Sequence, residues 1–99
     1  MIKSKDIKKI RIQIDEIDMK ILNLISERKD LVTKVVQFKD RNQIIDQDRI
    51  DDILQRLDEE ARKRGVPQEL VKKLWQSMIT SFISYEEEIF DKVAKKTTK

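Results

Sequence analysis

The chain has 99 residues, a net charge of +3 from 22 basic and 19 acidic side chains, and neither cysteine nor histidine. This composition excludes a disulfide framework and thiolate chemistry, and it removes the commonest general base and metal ligand. No apolar run approaches the roughly 20 residues of a membrane span, and no apolar signal-peptide block stands at the start. We expect one cytoplasmic domain over residues 1–99.

The spacing of the apolar residues predicts an all-α protein with three helices. There is one Gly and one Pro, and no stretch alternates apolar and polar residues. The first helix is predicted from about Ser4 or Asp6, either of which could cap it, to about Asp40. Its apolar seam comprises Ile7, Ile10, Ile14, Ile17, Ile21, Leu24, Leu31, Val35 and Phe38.

Arg28 occupies a position on this seam where the spacing predicts an apolar residue. A guanidinium on such a face needs an anionic partner, because an unpaired buried charge is strongly unfavourable. About 35 helical residues also form a rod of roughly 50 Å, whereas a compact domain of this size has a radius of gyration of about 13 Å. The seam therefore needs a second chain to cover it, and a homodimer is the simplest solution.

The segment Arg41–Ile45 breaks the pattern and predicts a short loop, after which Asp46 is a plausible N-cap for the second helix. Gly65 is predicted to end that helix, and Pro67 to begin the third. The second helix has an apolar face of Ile50, Ile53, Leu54, Leu57 and Ala61. The third has a seam of Trp75, Ile79, Phe82, Ile89 and Val93, interrupted by Glu86.

The chain ends in a basic stretch, about residues 91–99, that we interpret as a frayed, solvated helix end whose lysines complement the helix dipole. Nucleic-acid binding would need a basic stripe with a reading helix or stacking aromatic side chains. The sequence contains only five aromatic residues. We expect neither a nucleic acid nor a membrane as partner.

Arg28 and Lys39 are eleven residues apart, so a continuous helix would place them within roughly 20° on one face and about 16 Å apart. Two long cations at that spacing suit a small anion between them. Arg11 lies about 25 Å from Arg28 along the same helix and reaches the gap only from another chain. An antiparallel pair crossing near Leu22 would supply it. The pattern also allows another reading, in which Arg28 pairs with Glu86 or with an acid of the partner helix.

These residues resemble the all-helical chorismate mutase family. The family pattern is an Arg, a second Arg seventeen residues later, a Lys eleven beyond, and an Asp-x-x-Arg-Glu motif that opens the second helix. Arg11, Arg28 and Lys39 hold those spacings, and Asp46–Arg49 supplies the loop motif. The resemblance covers about residues 5–90. It implies an intertwined dimer of three-helix chains with two active sites, each borrowing the first Arg from the partner.

The resemblance implies specific roles for five residues. Arg28 and Arg11 of the other chain would bind the two carboxylates of chorismate, a small dianion. Lys39 would bind a carboxylate and the ether oxygen, while Asp46 and Arg49 would line the ring-hydroxyl end. The implied reaction is the pericyclic rearrangement of chorismate to prephenate. It needs no nucleophile, metal or cofactor.

Two positions differ from the family pattern. Ile50 replaces the family Glu, and Glu86 replaces a Gln on the third helix. A carboxylate would repel the ether oxygen as it gains negative charge, so we expect Glu86 to act protonated and activity to improve below neutral pH. We also expect Ile50 and Phe82 to contact the substrate.

Three alternative functions remain open. The aliphatic Ile50 is similar to isochorismate-pyruvate lyase, although that enzyme keeps the Gln that Glu86 replaces here. An aliphatic residue together with a Glu is similar to mutases that act on 4-amino-4-deoxychorismate. A non-catalytic helical dimerisation module is the alternative from another class, and it predicts that protein carboxylates neutralise Arg28.

Overall fold

The computed structural model describes the backbone of residues 2–97 and the side chains of residues 3–92. Within that part of the chain all regular structure is helical, which confirms the predicted all-α class. It comprises α1 (Ile2–Val36), a 3-10 turn (Arg41–Gln43), α2 (Gln47–Arg64) and α3 (Gln68–Thr97). None of these helices is long and apolar enough to cross a membrane, judged over the described residues.

The chain divides into two compact units, residues 1–31 and residues 32–99. The first unit is a stretch of α1 alone. Its seam residues are between 46% and 63% exposed, and we call this set the α1 seam: Ile7, Ile10, Ile14, Ile17, Ile21 and Leu24. A lone helix has no second element within its unit against which such a face can pack.

The second unit contains the buried core. One apolar side chain comes from each of its four parts: Val36 at the end of α1, Ile44 in the connecting segment, Ala61 on α2 and Ile79 on α3. Helices α2 and α3 contact each other and are joined by only three residues. Such a short connection produces an antiparallel helical hairpin.

The first helix ends at Val36, so the predicted end at Asp40 was wrong. The amides of residues 37–39 donate to carbonyls three residues back, at 3.0 to 3.2 Å, and these tight bonds close the helix. Asp40 is then extended, with φ −84° and ψ 162°. Phe38 is 86% exposed and leaves the seam. Lys39 lies beyond the helix, so the helical geometry predicted between Arg28 and Lys39 does not apply to it.

The predicted boundaries of α2 are confirmed. The Asp46 carboxylate accepts the Arg49 amide at 3.0 Å, as an N-cap does. Gly65 is left-handed, with φ 69° and ψ 28°. The amides of Gly65 and Val66 donate to the carbonyls of Arg62 and Ala61 in a Schellman arrangement.

The third helix begins where the sequence predicts. The Pro67 carbonyl accepts the Val71 amide at 3.2 Å, which is the first hydrogen bond of α3. The helix backbone continues to Thr97. The basic tail predicted over about residues 91–99 lies outside the described side chains from residue 93 onward, as does Val93 of the predicted seam.

Candidate active site

Glu86 is a buried acidic residue on the apolar face of α3. Only 7% of it is exposed, and it is the one charged residue among the buried positions of the described chain. Ile79 on the same face is buried, while Phe82 and Ile89 are half-buried. Glu86, which interrupts the apolar seam of α3, is therefore buried among apolar residues. A charge in such surroundings needs a partner.

Lys39 is the cation that meets this carboxyl. Its Nζ donates to Glu86 Oε1 at 2.9 Å, and the two side chains are 26% and 10% exposed. An ammonium has three N–H donors, and Glu86 accepts one of them. The pair is neutral overall, and the Lys39 ammonium keeps two N–H donors that Glu86 does not use.

Further contacts join the segment after α1 to α3. Arg41 Nη2 donates to Asp91 Oδ1, and the Arg41 guanidinium carbon lies 4.8 Å from the centroid of the Phe90 ring. Near the end of α1, the Thr33 hydroxyl is hydrogen-bonded to the Tyr85 hydroxyl of α3 at 3.1 Å. Sequence reasoning missed these residues. Only the position of Tyr85 beside Glu86 and of Arg41 close to Lys39 could have indicated them.

A cleft of about 400 Å³ opens where the chain passes from α1 to α2. Two of the predicted site residues, Lys39 and Asp46, lie in its wall. The lining residues are Phe38, Lys39, Asn42, Gln43, Ile45, Asp46, Gln47 and Asp48. Its wall thus combines one cation and two carboxylates with three side-chain amides, which suits a polar ligand rather than an apolar one.

The predicted site residues at the start of α2 differ in their contacts and in whether they line the cleft. Asp46 uses its carboxylate to cap the helix, so any contact with a ligand must share that group. The exposed Arg49 guanidinium lies 3.7 Å from the Asp52 carboxylate and is not part of the cleft wall. Ile50 is half-buried one residue further along α2. Of these three, only Asp46 shares the cleft with Lys39.

Phe82 lies one turn before Glu86 on α3 and is half-buried. Its ring packs edge-to-face on Tyr85, with centroids 6.3 Å apart and planes at 88°. Aromatic pairs favour this geometry because the edge of one ring meets the electron-rich face of the other. The orientation of Phe82 is thus set beside the buried carboxyl.

Arg11 and Arg28 belong to the first unit, residues 1–31. Arg11 is exposed on α1, whereas Arg28 is half-buried on the same helix.

Charged and polar groups make up the chemistry that the second unit displays. Among the described residues, no group of three or more acidic side chains could hold a metal ion. The sequence contains no Cys or His, which are the commonest nucleophilic and proton-relay residues. What the second unit does offer is a fixed ammonium, a buried carboxyl and a polar cleft. Such groups stabilise charge that develops during a reaction.

Comparison with protein families gives one match. A family model described as chorismate mutase type II matches residues 10–96 of the chain. The match includes every candidate site residue, from Arg11 to Glu86. No curated protein and no solved structure matches the chain.

Proposed function

The chain belongs to the chorismate mutase type II family, and on that premise we propose that it rearranges chorismate to prephenate in a site shared by two copies of the chain. The observation that carries the proposal is the ion pair between Lys39 and the buried Glu86, within the matched residues. We place the enzyme in the cytoplasm, in the shikimate pathway to aromatic amino acids.

The proposed reaction is intramolecular. The ether C–O bond breaks as a C–C bond forms, so no nucleophile, leaving group, metal or cofactor takes part. Such a reaction is accelerated by holding the substrate in its compact conformer and by stabilising negative charge on the ether oxygen. Lys39 supplies that stabilisation as a hydrogen-bond donor to the oxygen and to a substrate carboxylate.

Glu86 acts through Lys39. A carboxylate at this position competes with the substrate for the Lys39 ammonium, whereas the amide of the family pattern would donate a hydrogen bond to the ether oxygen. We propose that Glu86 orients the Lys39 ammonium toward the substrate. The 2.9 Å contact between Lys39 Nζ and Glu86 Oε1 supports this role.

A homodimer completes the site. The α1 seam is about half exposed from Ile7 to Leu24, which is roughly 25 Å of the helix. A continuous exposed apolar stripe of this kind marks an interaction surface. We propose that a second copy covers it in an intertwined pair, and that each site receives Arg11 from the partner.

The remaining site residues bind the substrate. Arg28 and the partner's Arg11 neutralise its two carboxylates, since guanidinium groups match carboxylates in geometry and charge. Asp46 and Arg49 line the end that holds the ring hydroxyl. Ile50 is an apolar contact on α2, and Phe82 is another on α3.

One observation favours two alternative substrates. The half-buried Ile50 stands where the family pattern has a Glu, so a carboxylate contact to the ring hydroxyl is missing. Substrates that differ from chorismate at the ring fit this change, namely isochorismate for a pyruvate-eliminating lyase and 4-amino-4-deoxychorismate for a mutase. Both would use the same cations.

The test is to incubate the purified protein separately with chorismate, isochorismate and 4-amino-4-deoxychorismate and to identify each product. We expect prephenate from chorismate at the highest kcat/KM of the three. Formation of salicylate and pyruvate from isochorismate would identify the protein as the lyase instead. Preferred turnover of 4-amino-4-deoxychorismate would identify it as the mutase for that substrate. Turnover of none would support a non-catalytic dimerisation module.

A further inference from the structure

Lys39 lies in a short segment between two buried anchors. Val36 and Ile44 are 2% and 4% exposed, whereas Phe38 between them is 86% exposed. Burial therefore fixes the two ends of the segment. It does not by itself fix the direction in which Lys39 extends its ammonium.

Arg41 supplies a second attachment for this segment. It stands two residues after Lys39 and contacts α3 through the Asp91 carboxylate and the face of Phe90. Glu86, which meets Lys39, lies one turn earlier on the same helix. Two cations of one short segment are thus held by two successive turns of α3, and each restricts the freedom of the other.

We propose that Arg41 is a positioning residue that keeps the Lys39 ammonium aligned with Glu86, an inference that rests on the function proposed above. An exposed ion pair contributes little to folding stability. We therefore assign the Arg41–Asp91 contact a role in aligning the Lys39 ammonium. A displacement of about 1 Å in a catalytic group can lower a rate about 100-fold. The cation–π contact adds a directional constraint, because the guanidinium must stay over the Phe90 ring.

The first test compares kcat and KM for three variants. We expect Arg41→Ala to lower kcat about 10- to 100-fold with a smaller change in KM. Arg41→Lys keeps a cation over Phe90 and should recover most of the loss. Arg62→Ala is the matched control, because Arg62 forms an exposed pair with Asp58 on α2, and it should keep the wild-type kcat. Equal kcat for Arg41→Ala and Arg62→Ala would overturn the proposal.

The second test asks whether Arg41 acts through Lys39. In a Lys39→Ala background the further change Arg41→Ala should leave kcat unaltered, because the group that it positions is already absent. A loss of the same size in both backgrounds would show an independent or merely structural role, and would overturn the inference.

The third test needs no substrate. The amides of residues 37–39 donate hydrogen bonds that close α1, so their hydrogen exchange reports on the order of the segment. We expect exchange about tenfold faster in Arg41→Ala than in wild type and unchanged in Arg62→Ala. Asp91→Asn removes the same ion pair and replaces Arg41→Ala if that variant fails to fold. If the wild type turns over none of the three substrates, the proposed function fails, and hydrogen exchange alone then tests whether Arg41 positions the segment. Unchanged exchange in Arg41→Ala would overturn the positioning role.

Discussion

Lys39 and Glu86, 47 residues apart in the chain, meet at 2.9 Å where α3 is buried. The pair joins the segment after α1 to α3, with the Glu86 side chain 10% exposed and the Lys39 side chain 26% exposed. In the ligand-free protein each neutralises the other.

Replacement of Lys39 should separate catalysis from stability. Lys39→Ala removes a preorganised donor and should lower kcat by about 10²–10³. It also leaves Glu86 without its partner, and we expect a loss of about 1–3 kcal/mol in the free energy of unfolding. Denaturant titration of the double variant Lys39→Ala/Glu86→Gln should recover that stability without recovering kcat. A double variant as unstable as Lys39→Ala would contradict the pairing.

Replacement of Glu86 should report on its effect on Lys39. Glu86→Gln keeps the size of the side chain and removes the negative charge beside the Lys39 ammonium, so kcat at neutral pH should be higher than in wild type. Glu86→Ala also removes the hydrogen-bonding group and serves as the control, with a kcat below that of Glu86→Gln. The measurement is kcat for the three proteins under the same conditions. A kcat for Glu86→Gln no higher than that of wild type would contradict the role.

The α1 seam should control dimer formation. Ile17→Glu places a charge in the middle of the proposed interface and should shift the protein to monomers, because an unpaired charge is strongly disfavoured in an apolar contact. Asn23→Glu adds the same charge on another face of α1 and serves as the control. Sedimentation equilibrium checks both variants. A monomeric wild type at micromolar concentration would be incompatible with the shared site.

Two substitutions at Asp46 distinguish helix capping from ligand binding. Asn caps helices about as well as Asp, so Asp46→Asn should keep the thermal midpoint, whereas Asp46→Ala should cost about 0.5–2 kcal/mol of stability. If Asp46 also binds the ring-hydroxyl end of the substrate, both variants should raise KM. Normal KM in Asp46→Asn would limit the residue to capping.

Local chemistry made the boundaries of α2 predictable. Gly65 adopts the left-handed conformation that few other residues tolerate, and Asp46 caps the helix with its own carboxylate. Glu86 was recognisable as well, because it is an acid at a position where the spacing of the α3 seam predicts an apolar residue. Each of these features depends on residues close together in sequence.

The end of α1 and the contacts of Lys39 were not predictable in this way. No Gly or Pro stands near Val36, so the pattern allowed the helix to run four residues too far. The partners Glu86 and Asp91 lie 47 and 50 residues from Lys39 and Arg41. Only the return of α3 past the connecting segment brings them together, and hydrophobic periodicity carries no information about such polar contacts.

Subunit complementation tests the shared site most directly. Arg11→Ala and Lys39→Ala should each be nearly inactive toward chorismate as homodimers. When the two proteins are unfolded together and refolded, random pairing makes half of the dimers mixed, and each mixed dimer has one site with both residues intact. We therefore predict recovery of about a quarter of wild-type activity. No recovery, with mixed dimers demonstrated, would contradict a site that takes Arg11 from the partner.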